Sequence, residues 1–196
     1  YVGGCVRKYL SNEKIDDIDI ATILTTDQIK EKFKDTNLKV IDTGVKHGTV
    51  TIVSENHKVE LTTLRKDIKT DGRHAEIEYT DNWQQDSERR DFTINAMAIS
   101  LQQSSLGALV TVERSADDIA GKVIRVLHRQ SFQDDATRLM RAVRYEQRFE
   151  FRLEKETEAL ARQNASMIAT ISGDRVRKEI TIMLQKSSKA NCLKRL

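Results

Sequence analysis

The chain contains 196 residues, of which 38% are apolar and 32% are charged, and its formal net charge is +3. No apolar run approaches the roughly 18 residues of a membrane-spanning helix, so we expect no membrane partner, while the mild charge does not by itself identify a nucleic-acid binder. The two cysteines, Cys5 and Cys192, lie far apart in sequence, which predicts free thiols and a cytoplasmic location rather than a disulfide scaffold.

The first motif is a pair of glycines, Gly3 and Gly4, followed by Arg7 and, about a dozen residues later, by Asp17 and Asp19. In a strand, the period of two places both aspartates on one face, where two carboxylates can hold Mg²⁺. The glycines leave amide groups open to a triphosphate, and the arginine can add charge-assisted hydrogen bonds. We interpret the pattern as a nucleotidyl-transfer site with catalytic, metal-binding aspartates and with Gly4 and Arg7 binding nucleotide. A solvated strand end is the alternative.

The segment up to about residue 100 mixes helical and strand patterns. Residues 25–28 form a capping box that predicts a helix through Phe33. Residues 65–85 lack clear periodicity and are rich in charge, which predicts a mobile charged loop, with a plain solvated loop as an equal alternative. Alternation predicts three strands that complete a small sheet with the aspartate strand, over residues 39–43, 48–54 and 59–63.

Glu60 lies in the last of these strands and is our candidate for a third metal ligand, although an exposed strand glutamate is nearly as good an interpretation. We expect Asp16 to face solvent, because alternation points it away from the two aspartates that follow. Helical spacing predicts a helix over residues 91–99, directly after Arg89 and Arg90. The two cationic side chains would then lie beside the free amide groups at the start of that helix. A short connecting region is predicted over residues 107–112.

Beyond Ser131 almost everything has a helical pattern, and the boundary with the mixed part falls near residue 125. Ser172 is a plausible N-cap for the last predicted helix. Because the chain begins inside a strand pattern and ends in a helical pattern without a stop signal, we expect the natural protein to continue at both ends. The predicted helices cover residues 134–149, 154–167 and 174–184.

The helix predicted from Asp134 has one apolar face and one cationic face. Arg138 and Arg141 lie opposite the apolar side, and Asp135 stands three residues before Arg138. An ordinary surface ion pair between Asp135 and Arg138 is one interpretation of that spacing. The apolar face consists of Leu139, Met140 and Val143.

Five motifs occur in an order that resembles the bacterial class II tRNA nucleotidyltransferase and poly(A) polymerase family, whose members include CCA-adding enzymes. They occupy residues 3–7, 17–22, 43–50, 89–98 and 134–144. The resemblance implies an α+β fold, with a small mixed β-sheet head of the polymerase β-like nucleotidyltransferase type over residues 1–125. An all-helical neck is implied over residues 126–196, with a base-recognition helix and the start of the body.

The resemblance also implies an activity. We expect a Mg²⁺-dependent enzyme that adds CMP and AMP, from CTP and ATP, to the 3′ end of tRNA and releases pyrophosphate without a nucleic-acid template. An A-adding or CC-adding specialist and a poly(A) polymerase are alternatives, and a catalytically inactive RNA-binding relative is an alternative of another class.

Roles for individual side chains follow from the same resemblance. The carboxylate of Asp135 would accept from the exocyclic amine of cytosine or adenine, and Arg138 would donate to the adjacent ring acceptor. Arg141 and Arg144 would contact the triphosphate. The remaining implied nucleotide-binding residues are Arg90, Asp91 and Asn95.

Two positions depart from the family pattern. Lys8 stands where an acidic residue usually follows the arginine of the glycine turn. Residues 111–115 replace an Asp-Pro-x-Gly-Gly turn, which puts in doubt a hinge between the head and the helical part.

Overall fold

The computed structural model describes residues 1–70, 75–102 and 105–186. The chain forms two compact units, each of which is described by itself. The first unit comprises Tyr1–Ile68, Ile77–Arg90 and Asn95–Ser115, and the second comprises Lys69–Glu76, Asp91–Ile94 and Ala116–Leu196. The mixed α+β architecture predicted from the sequence is confirmed.

A four-stranded sheet organises the first unit, with the strand order β1-β4-β3-β2. β1 runs parallel to β4, whereas β4, β3 and β2 are antiparallel neighbours. The predicted strands are confirmed within a residue or two. Their bounds are β1 (Ile18–Thr22), β2 (Lys39–Gly44), β3 (Thr49–Val53) and β4 (Lys58–Thr63).

Two helices flank these strands in sequence. α1 (Gly4–Leu10) follows the glycine turn directly, and α2 (Thr26–Phe33) begins at the predicted capping box, which is confirmed. In that box the Thr25 side chain accepts from the amide of Gln28, and the Gln28 side chain accepts from the amide of Thr25. The helix packs through Ile29 on an apolar cluster with Val50 and Ile52 of the sheet, all of them buried.

The loop predicted over residues 65–85 is wrong for the part that the structure describes. β5 (Arg65–Thr70) pairs with β6 (Ala75–Tyr79), and α3 (Trp83–Glu88) follows. Arg65, Lys66 and Asp67 are all partly buried, so the alternation of exposed and buried positions that marks a half-buried strand is missing. Among the charges that suggested a loop, Lys66 occupies a strand position and forms an ion pair with Glu78 at 3.0 Å. Asp71 and Arg73 lie outside the described residues.

The helix predicted over residues 91–99 is also wrong. A 3₁₀ turn at Thr93–Asn95 leads into β7 (Met97–Gln102), which pairs with β8 (Ser105–Thr111) where a connecting region was predicted. Residues 92–97 are all buried although Thr93 and Asn95 are polar, so burial leaves no exposed face that would distinguish a helix from a strand.

The second unit is mainly helical. In the described residues of the part predicted to be all helical, Arg152–Leu153 forms a short strand, which pairs in parallel with Val123–Ile124. The predicted helix over residues 154–167 divides into α7 and a 3₁₀ segment, Ala165–Thr170. The elements are α4 (Ser115–Ala120), β9 (Val123–Ile124), α5 (Ser131–Asp134), α6 (Thr137–Phe149), β10 (Arg152–Leu153), α7 (Lys155–Gln163) and α8 (Gly173–Lys186).

The core of the second unit is built around α6. Leu139, Met140 and Val143 are buried, which confirms the predicted apolar face. Leu139 packs in a cluster with Phe92 and Phe132, and Met140 packs with Met183 of α8. None of the helices in the described ranges is long and apolar enough to cross a membrane.

α6 ends on Glu150, whose φ of 55° and ψ of 37° place it in the left-handed region. Glycine adopts this conformation without a Cβ clash, so Glu150→Gly is expected to raise the free energy of unfolding by about 1 kcal/mol. Urea denaturation measures the change. Glu146→Gly, the same substitution inside α6, is the control and is expected to lower stability by a similar amount, about 1 kcal/mol. A loss of stability in both variants would contradict the assignment of strain to Glu150.

Candidate functional site

Acidic side chains meet where β1 and β4 run side by side. Asp19 lies directly beside Glu60 in the parallel register, and Asp17 immediately precedes β1 and is exposed. Burial raises the pKa of Asp19, and the negative charge of Glu60 raises it further, whereas Arg90 opposes the shift. The strand register places Glu60, which is exposed, beside Asp19, and the charges of Glu60 and Asp17 both act on Asp19. Metal binding by these carboxylates stays a prediction.

No three His, Cys, Asp or Glu side chains in the described ranges converge as a ready metal site. Mg²⁺ usually takes one or two carboxylates and completes its octahedron with water and phosphate oxygens. The pair Asp17 and Asp19 fits that requirement, because crowded negative charge near a half-buried carboxylate favours a cation. A ligand role for Glu60 stays a prediction.

The glycine turn lies against the same strand. Gly3 has a φ of +67°, and a Cβ at this position would come within 2.8 Å of Nη1 of Arg90, so another residue here would strain the backbone and displace the arginine. The amide of Val2 donates to the carbonyl of Asp19 over 3.0 Å, which fixes the turn beside the acidic pair. Gly4 begins α1, whose first amides have no acceptor within the helix.

Arg7 is buried, and its Nη1 donates to the side-chain oxygen of Asn95, which is also buried. This pair connects α1 to the 3₁₀ turn before β7, so the geometry favours a supporting role for both residues. The contact predicted between Arg7 and a triphosphate stays a prediction. The departure at Lys8 has a structural partner, because Lys8 forms an ion pair with Asp16, whose side chain is 56% exposed.

A buried carboxylate that the sequence analysis missed holds Arg90. Asp86 is 1% exposed, and its oxygens accept from Nη2 of Arg90 at 2.9 Å and from Nε and Nη2 of Arg89 at 2.9 and 2.7 Å. The guanidinium of Arg90 also lies over the Trp83 ring, 4.9 Å from its centre. The spacings i, i+3 and i, i+4 on a helix would have revealed this set, had a helix been predicted there.

In the second unit, Asp91 and Arg141 form a close ion pair. Nε and Nη2 of Arg141 donate to one carboxylate oxygen of Asp91 at 2.9 and 2.5 Å, and Nη2 also donates to the Tyr145 hydroxyl at 2.9 Å. The charge of Asp91 raises the pKa of Arg141. The Arg141 side chain remains 33% exposed, so a contact between Arg141 and a ligand stays a prediction with a geometric basis.

The helix predicted from Asp134 is interrupted. α5 ends at Asp134, Asp135 is extended with φ −148° and ψ 103°, and α6 begins at Thr137. Asp135 therefore does not lie on the helical wheel with Arg138, and its ion pair is with Arg175 at 2.8 Å rather than with Arg138. The alternative of a helix ion pair between Asp135 and Arg138 is wrong.

Arg138 is buried, and its Nη1 donates to the carbonyl and hydroxyl oxygens of Ser131 at 3.1 and 2.7 Å. Burial lowers the pKa of this guanidinium, and the charges of Asp91 and Asp135 oppose the shift. Arg144 is also buried and forms an ion pair with Glu179 of α8 at 2.8 Å. The geometry favours a structural role for Arg144, and its predicted contact with the triphosphate stays a prediction.

The turn at residues 111–115 contains Arg114 with a φ of 66°, a left-handed conformation that glycine would adopt without strain. Ser115, which follows, is completely buried. The chain thus makes the turn without the glycines of the family pattern. A change in the hinge between the head and the helical part stays a prediction.

Comparisons with known proteins agree with the motifs. The family described as "Poly A polymerase head domain" matches residues 1–125, and the family described as "Probable RNA and SrmB- binding site of polymerase A" matches residues 150–196. The mitochondrial CCA tRNA nucleotidyltransferase 1 of Danio rerio is 38% identical over 188 residues, which are 93% of this chain and 43% of that protein.

Two solved structures extend the agreement to the fold. The Bacillus stearothermophilus CCA-adding enzyme in complex with CTP matches with a TM-score of 0.83 and 34% identity, covering 97% of this chain and 45% of that one. A tRNA nucleotidyltransferase complexed with a primer tRNA and an incoming ATP analog matches with a TM-score of 0.83 and 31% identity, covering 98% and 54%. The chain spans less than half the length of the curated relatives that it matches.

Proposed function

Since the chain belongs to the CCA-adding enzyme and poly(A) polymerase family, we propose that it is the catalytic part of an enzyme that completes the 3′ end of tRNA. The reaction transfers CMP and AMP from CTP and ATP to a terminal 3′ hydroxyl and releases pyrophosphate. The similar structures that hold CTP, or a primer tRNA with an ATP analog, support this substrate set.

One observation carries the proposal most directly, the register that sets Asp19 beside Glu60 on parallel strands. An acidic cluster next to a glycine turn suits phosphoryl chemistry, because the turn offers backbone amides to phosphate oxygens while the carboxylates attract a cation. Asp17 and Asp19 would hold Mg²⁺, which would supply charge neutralisation at the phosphates and a more nucleophilic 3′ hydroxyl.

The protein's own groups would bind and orient the nucleotide. Arg90 lies against Gly3 and is held by Asp86. Its charge is therefore already oriented beside the turn, and the side chain would lose little conformational freedom when a nucleotide binds. Arg141, fixed by Asp91, offers a second oriented cation. Asp135 accepts hydrogen bonds and Arg138 donates them, which matches the amine and the adjacent ring nitrogen that cytosine and adenine share.

An incorporation assay tests the proposal. The chain is incubated with Mg²⁺ and tRNA lacking its terminal nucleotides, and CTP, ATP or both are supplied. Products sequenced from each reaction separate CCA addition from A-only, CC-only and poly(A) addition. An absence of Mg²⁺-dependent incorporation, with tRNA still bound, would instead support an inactive RNA-binding relative.

Base selection gives a sharper prediction. Asp135→Ala is expected to reduce the preference for CTP over UTP by about tenfold or more, because each lost hydrogen bond to a buried partner removes roughly 1 to 3 kcal/mol of discrimination. The measurement is the ratio of kcat/KM for the two nucleotides. Asp174→Ala, an exposed aspartate of α8, is the control and should leave the ratio unchanged. An unchanged ratio in Asp135→Ala would remove the base-reading role.

Two further statements belong to the proposal. The head is taken to end near residue 125 and the neck to begin at 126, which is supported by the span of the matched head family. A cytoplasmic location is supported by the buried free thiol of Cys5, whereas Cys192 lies outside the described residues.

A further inference from the structure

Arg175, at the start of α8, contacts the carboxylate of Asp135 from forty residues away. Its Nη2 lies 2.8 Å from Oδ1 and 3.0 Å from Oδ2 of Asp135, and 3.1 Å from the hydroxyl of Thr137. No sequence motif pointed to this residue. A single guanidinium nitrogen therefore contacts both carboxylate oxygens, and this charge-assisted contact restrains the position of the Asp135 carboxylate.

Few other groups orient the carboxylate of Asp135. The backbone of Asp135 is extended between α5 and α6, so helical geometry does not hold the side chain. Oδ1 accepts from the amide and the hydroxyl of Thr137 at 3.0 and 2.7 Å. Oδ2 has Arg175 as its hydrogen-bond donor. Arg175 is thus the group that decides where the second oxygen points.

α8 is anchored to α6, so Arg175 is presented from a fixed base. The Arg144–Glu179 ion pair between these helices is buried, and Met140 of α6 packs against Met183 of α8. The exposed part of Arg175 is 43% of its side chain, which leaves the pair with Asp135 accessible from solvent. A ligand can therefore approach the carboxylate without unfolding the helix.

The two predicted base readers are held by different partners. Ser131 accepts from Arg138, while Arg175 donates to Asp135. The charge of Asp135 is nevertheless felt by Arg138, since it raises the pKa of that guanidinium. Without Arg175, Arg138 remains as a cation whose charge interacts with the carboxylate. We expect the two readers then to attract each other in competition with a base.

From this geometry we propose that Arg175 is a positioning residue for base selection, which keeps the Asp135 carboxylate turned away from Arg138 and directed as an acceptor toward an amino-bearing base. The proposal rests on the proposed function, because it assigns Arg175 to the same recognition step. It predicts that loss of Arg175 weakens discrimination between bases more than it weakens binding of the triphosphate.

The experiment compares nucleotide selection in the 196-residue chain and three variants. Arg175→Ala removes the contact, Arg175→Lys keeps the charge but loses the planar guanidinium, and Arg177→Ala is the control, since Arg177 lies on the same helix and is 80% exposed. Two readouts are measured, the ratio of kcat/KM for CTP over UTP and the ratio of their dissociation constants by calorimetry without tRNA. Thermal melting reports whether each variant folds.

The expected result is a fall of about tenfold in both ratios for Arg175→Ala, the size of one lost oriented hydrogen bond. The fall should come mainly from better use of UTP, with KM for CTP changed less. Arg175→Lys should recover part of the selectivity, and Arg177→Ala should match the parent. If Arg175→Ala fails to fold, Arg175→Gln, which keeps the length without the charge, is measured in its place and is expected to show the same loss.

Selectivity in Arg175→Ala equal to the parent, while Asp135→Ala loses it, would overturn the positioning role and leave the proposed function intact. A parent chain that does not prefer CTP over UTP would instead count against the proposed function itself. Asp135→Ala combined with Arg175→Ala should be no less selective than Asp135→Ala alone. An additional loss in the double variant would show that Arg175 acts on something other than Asp135.

Discussion

Asp19→Asn is expected to abolish nucleotide incorporation while making the folded protein more stable. The neutral amide is a poor Mg²⁺ ligand, so turnover should fall by about a thousandfold or more. The same change removes the negative charge of Asp19, which lies beside Glu60 on the neighbouring strand. Burial already raises the pKa of Asp19, so the charged form is unfavourable there. Removing one of two like charges on paired strands is expected to raise the free energy of unfolding by up to about 1 kcal/mol.

Incorporation kinetics and urea denaturation measure the two effects in parallel. Asp81→Asn, at an exposed position in the same unit, is the matched control and should change neither. An Asp19→Asn protein that turns over at the parent rate would remove the metal-site assignment. Lower stability with no activity would show instead that Asp19 has a structural role.

Asp86→Ala is expected to have the largest effect on folding, a loss of about 3 to 5 kcal/mol. Removal of the buried carboxylate leaves buried positive charge without that partner, and here two guanidinium groups would each lose an ion pair. Glu88→Ala, on the exposed face of the same helix, is the control and should cost little. Equal stability of the two variants in urea denaturation would contradict the structural role of Asp86.

The same carboxylate predicts a pH dependence. Burial opposes ionisation of Asp86, but the charges of Arg89 and Arg90 outweigh it and hold the pKa below its ordinary value. A lowered pKa stabilises the fold above the unfolded-state value, about 3.9, and this contribution disappears as the pH falls through the folded-state pKa. The stability difference between the parent and Asp86→Asn should therefore be large near pH 7 and shrink below about pH 4.

The sequence predicted the parts of the fold whose signals are local. The capping box at residues 25–28, the three sheet strands and the apolar face of α6 all depend on short-range patterns, and the structure confirms them. The failures lie where burial does not follow the polarity of the side chains. Residues 92–97 are all buried although Thr93 and Asn95 are polar, and the charged segments Arg65–Thr70 and Ala75–Tyr79 form a two-stranded ribbon.

The candidate site was likewise predicted only in part from the sequence. The sequence named Glu60 as a candidate ligand on a strand of the same sheet as Asp19, whereas it gave no sign of the partner of Asp135. Arg175 is forty residues away on another helix, and nothing in its local sequence distinguishes it from Arg177. A side-chain contact of this kind depends on how α8 packs on α6, which a linear pattern does not contain.

The glycine turn has a consequence for the synthesis of the chain. The backbone of Tyr1 exchanges hydrogen bonds with Ile99, Gly3 donates to the carbonyl of Met97, and Arg7 donates to Asn95. The turn is therefore synthesised long before the β7 residues that hold it, whereas β1 can pair with β4 as soon as Thr63 has emerged from the ribosome. Until β7 follows, the glycine turn stays open to proteases although the four-stranded sheet can already form.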